Sequence, residues 1–377
     1  MSVFMYKPYV SSPIIVLTLK ALEGRGAERA VTILSRVFAK MGCQVHVLCL
    51  EPTIELLLDE GVAHHVIDYN KIKFKLRLNR RSKYKAIAAE IDNYINQHIG
   101  IPDLILVNIY KLNWIMTYSK LPNIVNVLHT ALSMQFAQDL EKSPTKIITH
   151  LREVYGAHPC ICVSEGARKD MIELIGDVTT TKTIYNPCDA KAIQHLASQP
   201  LKLSDYELKS KQYIIHVGSF DSMKGHHDLL EAYAKTSRQF PLVLVGKGKL
   251  ENEIKELANK LGIFDSVKFL GFQSNPYPFI KHAALLVLSS KFEGFGYVIV
   301  EAQALGVPVI STNCPFGPRE LLPLLSLVDL NDQQALSELI EDASRHPQAY
   351  LTSLDNQLLP DRVAQEYLKF GQIELSS

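Results

Sequence analysis

Short apolar runs of strand length recur along the chain, separated by longer segments with helical spacing, and they fall into two series. Residues 14–19, 45–50, 104–108, 124–128 and 160–163 form the first series, with helical periodicity over 27–41 and 146–155. Residues 213–217, 242–245, 267–269, 285–288 and 307–310 form the second, with helices expected over 225–236 and 298–305. Runs that are apolar at nearly every position suit strands covered on both faces, and their alternation with helices favours parallel sheets. The expected fold class is α/β, with two Rossmann-like halves on one chain. Residues 1–196 form the first domain and the polar stretch 197–211, which contains Pro200, is the expected linker. Residues 212–358 form the second domain. Residues 359–377 hold a C-terminal helix expected to return toward the first domain.

Composition narrows the class of partner. A length of 377 residues suits two domains of ordinary size, and 47% hydrophobic with 21% charged residues is globular. The formal net charge of +1 offers no global field for nucleic acid. The six cysteines contain no C-x-x-C pair, and several lie in apolar runs where a thiol serves as a small buried hydrophobe. The expectation is a cytoplasmic chain without a leader. Residues 14–19 fall far short of the roughly 18–20 needed to span a bilayer, and no other run approaches that length.

The segment KFEGFGYVIVEAQALGVPVIS, residues 291–311, carries the strongest chemical signal. Glu293 and Glu301 stand eight apart, with Gly294 and Gly296 between them and a helical segment following. A strand end, two glycines and a helix N-terminus make a concave set of backbone N–H donors, and the positive end of the helix dipole favours phosphate there. Carboxylates suit the hydroxyls of a sugar and of a ribose. The plainer alternative is that one Glu is a capping residue and the other an exposed helix residue.

With its flanks this segment resembles the E-x7-E signature of the retaining family 4 glycosyltransferases (GT4), which have the GT-B fold: two Rossmann-like domains facing an interdomain cleft. Further matches fall in the family's order. Gly24-Arg-Gly-Ala-Glu-Arg29 resembles the N-terminal "GGAER" loop, and Asn186-Pro-Cys-Asp189 the N-P-x-D segment. Residues 217–225, VGSFDSMKG, resemble "VGRLxxxKG", and 244–248, LVGKG, resemble "LVGDGP". Residues 311–320 are similar to a subgroup that handles UDP-N-acetylhexosamines and related UDP-sugars in bacterial glycan assembly.

The resemblance implies a role for each matched position. Lys224 would stabilise the diphosphate as charge builds on the leaving group. Glu293, with the amides of Gly294, Phe295 and Gly296, would hold the donor sugar and β-phosphate, and Glu301 the ribose. Gly26 would let backbone approach the diphosphate, and His129 would contact the sugar near the reacting carbon. A surface-loop histidine is the plainer reading of His129. The base would meet Phe272 and Gln273. The family's arginine is Ser219 here, which leaves Lys224 with the amides, or with assistance from Lys247, to neutralise the phosphate. No Asp-x-Asp occurs, so no metal and no cofactor is expected beyond the nucleotide diphosphate sugar, with UDP favoured. The implied reaction is transfer of a hexose or N-acetylhexosamine to a hydroxyl of a lipid-linked bacterial surface glycan.

Two other features compete for attention. Gly24 and Gly26, with Glu51 ending the next strand, imitate a dinucleotide fingerprint, but Arg29 stands where the third glycine belongs. Residues 71–85 hold eight basic residues and no acid, among them Lys73, Lys75, Arg77, Arg80, Arg81 and Lys83. They form either a solvated face or a patch for an anionic acceptor or an anionic inner membrane, where each cation contributes about 1 kcal/mol. Rival functions are a GT-B-fold sugar epimerase or phosphorylase, and a catalytically silent sugar-nucleotide-binding protein.

Overall fold

The computed structural model describes residues 12–24, 26–68 and 79–375. The chain divides into two compact units: one comprises the chain up to Pro187 together with Asn356 onward, the other Cys188–Asp355.

The first unit is built on a seven-stranded sheet. Its strands are β1 (Ile14–Leu19), β2 (Gln44–Cys49), β3 (Val62–Val66), β4 (Leu104–Val107), β5 (Ile124–Leu128), β6 (Cys160–Cys162) and β7 (Thr181–Thr183). They lie in the order β3-β2-β1-β4-β5-β6-β7, and every pair is parallel. β1, β4 and β5 are covered on both faces, which is why they read as unbroken apolar runs. On one face the Arg80–His98 helix lays Ile87, Ala88, Ile91 and Ile95 against Val16, Ile105 and Val107. Asn79 caps it, its side chain accepting from Ser82 N at 3.0 Å. The Gly26–Lys40 helix buries Val31, Leu34 and Phe38, and Phe38 meets Tyr367 of the Pro360–Phe370 helix edge-on at 6.5 Å.

The second unit repeats the plan with six strands: β8 (Ile214–Val217), β9 (Leu242–Val245), β10 (Val267–Gly271), β11 (Leu285–Leu288), β12 (Val309–Thr312) and β13 (Leu327–Val328). Their order is β10-β9-β8-β11-β12-β13, again all parallel. Both sheets therefore have the 3-2-1-4-5-6 sequence of a doubly wound fold.

Two boundaries differ from expectation. Residues 197–211 are not a free linker. They carry a 3-10 turn at Leu203–Tyr206, and Leu201, Leu203, Tyr206 and buried Leu208 pack on Tyr213, Ile215 and Val243 of the second core. The Ala190–Ala197 helix also belongs to the second unit, where Gln194 Nε2 donates to Ala304 O at 2.8 Å, so the first crossover falls after Pro187 rather than at 196. The second crossover falls after Asp355 rather than 358. Polar residues hid these packing positions, just as they hid β3, with its two histidines, and β7 (Thr-Lys-Thr) at the sheet's edges. All six cysteines are buried and unpaired. Among the described residues, no helix is long and apolar enough to cross a membrane.

Candidate functional site

In the second sheet the strand order reverses between β8 and β11, which are neighbours. Such a switch point is where open α/β sheets receive ligands. The loop after β8 turns through a short 3-10 segment, Ser222–Lys224, into the His226–Ala234 helix; the loop after β11 leads into the Tyr297–Ala304 helix. Both helices begin at this carboxyl edge, so their first amides and positive dipole ends lie there. Gly225 and Gly296, at φ 63° and 92°, are the residues that open them.

The two loops are stitched together. Ser289 Oγ donates to Lys224 O at 2.9 Å, and Lys291 N donates to Met223 O at 2.8 Å. Glycine is required for this approach: a Cβ on Gly225 would sit 1.9 Å from Ser289 O. Lys224 Nζ then reaches Glu293 Oε1 at 2.6 Å, and Ser290 Oγ donates to the same oxygen at 2.7 Å. Lys224 and Glu293, both picked out from the sequence, are thus direct partners across 69 residues. Phe295 is buried behind them, with Gly317 closing on its carbonyl.

Ser219, the departure from the family pattern, donates to Asp221 Oδ2 at 2.5 Å, and Asp221 Oδ1 accepts from Met223 N at 2.9 Å. Asp221 therefore shapes the turn that presents Lys224, a role its Asp-x-x spacing before Lys224 could have suggested. Glu301 is 4% exposed, against the alternative of an exposed helix residue, and accepts from Tyr277 OH at 3.2 Å. It is no part of the Lys224–Glu293 pair. Phe272 and Gln273 follow β10, two strands from β8. Phe272 is 59% exposed with Lys247 Nζ 4.5 Å from its ring centre, while Gln273 Nε2 donates to Leu270 O. Beneath the loop lie two histidines not foreseen as site residues. His216 Nδ1 bonds Val287 O at 2.9 Å, and His226 stacks on Phe220 at 4.4 Å. Burial holds the His226 pKa down to about 4 and His216 well below the usual imidazole range.

The first unit holds the remaining candidates. Gly26 opens the Gly26–Lys40 helix, and Arg29 Nε closes back on Gly24 O at 3.2 Å. Glu51 pairs with Lys20 at 3.1 Å. His129 follows β5 and bonds Asn108, which follows β4, at 3.0 Å. Burial lowers the His129 pKa to about 4. Asp189 caps the Ala190–Ala197 helix, accepting from Ala192 N at 3.0 Å. Of the basic stretch, Lys73, Lys75 and Arg77 lie outside the described residues. Arg80 covers Trp114 at 5.6 Å, Arg81 pairs with Glu153 at 2.8 Å, and Lys83 lies in the same helical turn.

Two family models match consecutive parts of the chain: "Glycosyltransferase Family 4" over residues 24–192 and "Glycosyl transferases group 1" over residues 201–356. The chain belongs to glycosyltransferase family 4. An uncharacterized glycosyltransferase of Methanocaldococcus jannaschii is 35% identical over 40% of this chain and 39% of its own. The N-acetylgalactosamine-N,N'-diacetylbacillosaminyl-diphospho-undecaprenol 4-alpha-N-acetylgalactosaminyltransferase of Campylobacter jejuni is 32% identical over 48% of this chain and 50% of its own. The matches thus span half or less of these curated relatives. The crystal structure of Anabaena HepE in complex with UDP and glucose superposes with a TM-score of 0.75 at 19% identity, covering 95% of this chain and 99% of that one. That likeness establishes the GT-B architecture of this family member.

Proposed function

We propose that this family 4 member transfers a hexose or N-acetylhexosamine from a nucleotide diphosphate sugar, UDP favoured, to a hydroxyl of a growing lipid-linked bacterial surface glycan, with retention and without a metal. The observation that carries the proposal is the Lys224–Glu293 pair at the switch point, beside two helix N-termini. A diphosphate needs positive potential where its charge grows, and an ammonium group with helix amides supplies it. In the proposed reaction the C1–O bond to the phosphate breaks with its electron pair leaving on the phosphate oxygen. An oxocarbenium-like centre forms and the acceptor hydroxyl adds on the face the phosphate left. The departing phosphate oxygen takes the hydroxyl proton.

Lys224 then answers the developing phosphate charge, and Glu293 with the amides of Gly294, Phe295 and Gly296 receives the sugar and β-phosphate. Glu301 takes the ribose, Gly26 the diphosphate and His129 the sugar. Phe272 and Gln273 take the base. Ser219, bonded to Asp221, leaves Lys224 as the loop's cation.

The acceptor assignment draws on the relative that acts on a diphospho-undecaprenol glycan. It is consistent with a peripheral contact of Arg80, Arg81 and Lys83, beside Trp114, with an anionic membrane surface. The test is a panel of nucleotide sugars scored by thermal shift, since a ligand of the folded state raises stability by mass action. The best donor is then assayed with lipid-linked and free glycans. UDP release only when an acceptor is present supports transfer. Release without acceptor points to an epimerase, formation of a sugar 1-phosphate from glycan and inorganic phosphate to a phosphorylase, and binding without turnover to a silent binding protein.

A further inference from the structure

Asn108 and His129 stand at the carboxyl ends of neighbouring strands, β4 and β5, beside the point where the first sheet reverses its strand order. The Asn108 side chain is 4% exposed, and its Nδ2 donates to Thr18 O at 3.3 Å and to Leu106 O at 3.1 Å. Both partners are carbonyls, which only accept. Turning the amide over would set its oxygen against two others, so the NH2 group must face them and Oδ1 must face outward.

That oxygen meets His129 Nε2 at 3.0 Å. An amide oxygen also only accepts, so Nε2 carries the hydrogen. Burial keeps the ring neutral at working pH, with a pKa of about 4. A neutral imidazole has one N–H, which leaves Nδ1 with a lone pair, and Nδ1 is buried without a hydrogen-bond partner. A shut-away acceptor without a donor is uncommon in folded proteins and calls for a missing group.

We infer that Asn108 is a positioning residue that locks His129 as the Nε2–H tautomer, so that Nδ1 accepts a hydrogen bond from a hydroxyl or amide N–H of the sugar. The tautomer stands on the hydrogen-bond geometry together with the burial of the ring; the sugar contact rests on the function proposed above. The inference also sets a chemical requirement. A group with a hydrogen to give satisfies Nδ1, whereas a carboxylate or phosphate oxygen would oppose its lone pair. Asn108 acts through His129 and need not touch substrate.

The deciding measurement is the long-range 15N–1H spectrum of the full chain labelled at histidine, at neutral pH, with His129 assigned from the His129→Gln variant. The expected pattern is a protonated Nε2 and a bare Nδ1, giving way to mixed tautomers in Asn108→Ala. A protonated Nδ1, or a doubly protonated ring, in the unaltered protein overturns the lock whatever the variants do, including any failure of Asn108→Ala to fold.

Turnover supplies the second arm. Each of Asn108→Ala and His129→Ala should lower kcat roughly ten-fold, and the double variant should be no slower than His129→Ala alone. Multiplying effects would overturn the positioning role. Undiminished turnover in His129→Ala, with the Nε2–H signature seen in the unaltered protein, would overturn the sugar contact while leaving the tautomer established.

Discussion

The two units share one strand order yet use their carboxyl edges differently. In the second unit, glycines let backbone close on backbone. A Cβ on Gly225 would lie 1.9 Å from Ser289 O, and one on Gly246 1.9 Å from Gly218 O. The result is a tight double loop carrying an ion pair. In the first unit, Gly24, in the loop after β1, turns the chain into open space, with nothing within 4 Å of an added Cβ. At β4 and β5 its edge presents an asparagine amide and an uncharged imidazole. One scaffold thus supports a tightly closed edge with an ion pair and, at β4 and β5, an uncharged pair, and loop chemistry rather than sheet topology makes the difference.

Substitutions at two glycines test that contrast most strongly. Gly225→Ala should cost about 4 kcal/mol, from overpacking against Ser289 O added to the strain of a positive φ. Gly24→Ala should cost only about 1 kcal/mol, from the φ alone. Urea unfolding of both compares them, and equal losses would erase the distinction. Next, Lys224→Ala should slow turnover on the order of 10²–10³-fold, as for removal of one oxyanion donor. His129→Ala should fall short of that, and a reversed ranking would move the phosphate chemistry to the first unit.

A pH series probes the buried imidazoles. His226 titrates near 6.5 in the unfolded chain and near 4 when folded, so between those values the unfolded state binds the extra proton. Stability is therefore full above pH 6.5 and falls as pH drops toward 4. His226→Phe, which keeps the stack on Phe220, should flatten that decline by about 2 kcal/mol, read from unfolding at pH 7 and pH 4. The smallest effect belongs to Arg81→Gln. With side chains 66% and 41% exposed, the pair with Glu153 should contribute less than about 0.5 kcal/mol, so any large loss of binding to anionic vesicles would be a surface effect.

How much could be read from the residues alone also differs between the units. The central strands were legible because burial on both faces leaves an unbroken apolar run. The edges were not, since β3 and β7 carry histidine, threonine and lysine where one face stays open. Residues 197–211 read as a linker because their leucines are too sparse to show a period, although Leu208 is buried in the second core. Lys224 and Glu293 stood out singly, through glycine spacing and family pattern. Their pairing did not, since no local rule joins residues 69 apart. Asn108 had no signal at all: its importance arises from carbonyls on β1 and β4 and from an imidazole on the next strand.

The first unit is not continuous in sequence, and this has a consequence for biosynthesis. Its helix at Pro360–Phe370, which covers Phe38 with Tyr367, leaves the ribosome after all 168 residues of the intervening unit, 188 through 355. The inserted unit can complete its own core during translation, while the earlier-made sheet must wait with one helix site bare. A nascent chain halted before residue 360 would thus hold one finished body and one unfinished, and a chaperone would meet the exposed apolar surface around Phe38.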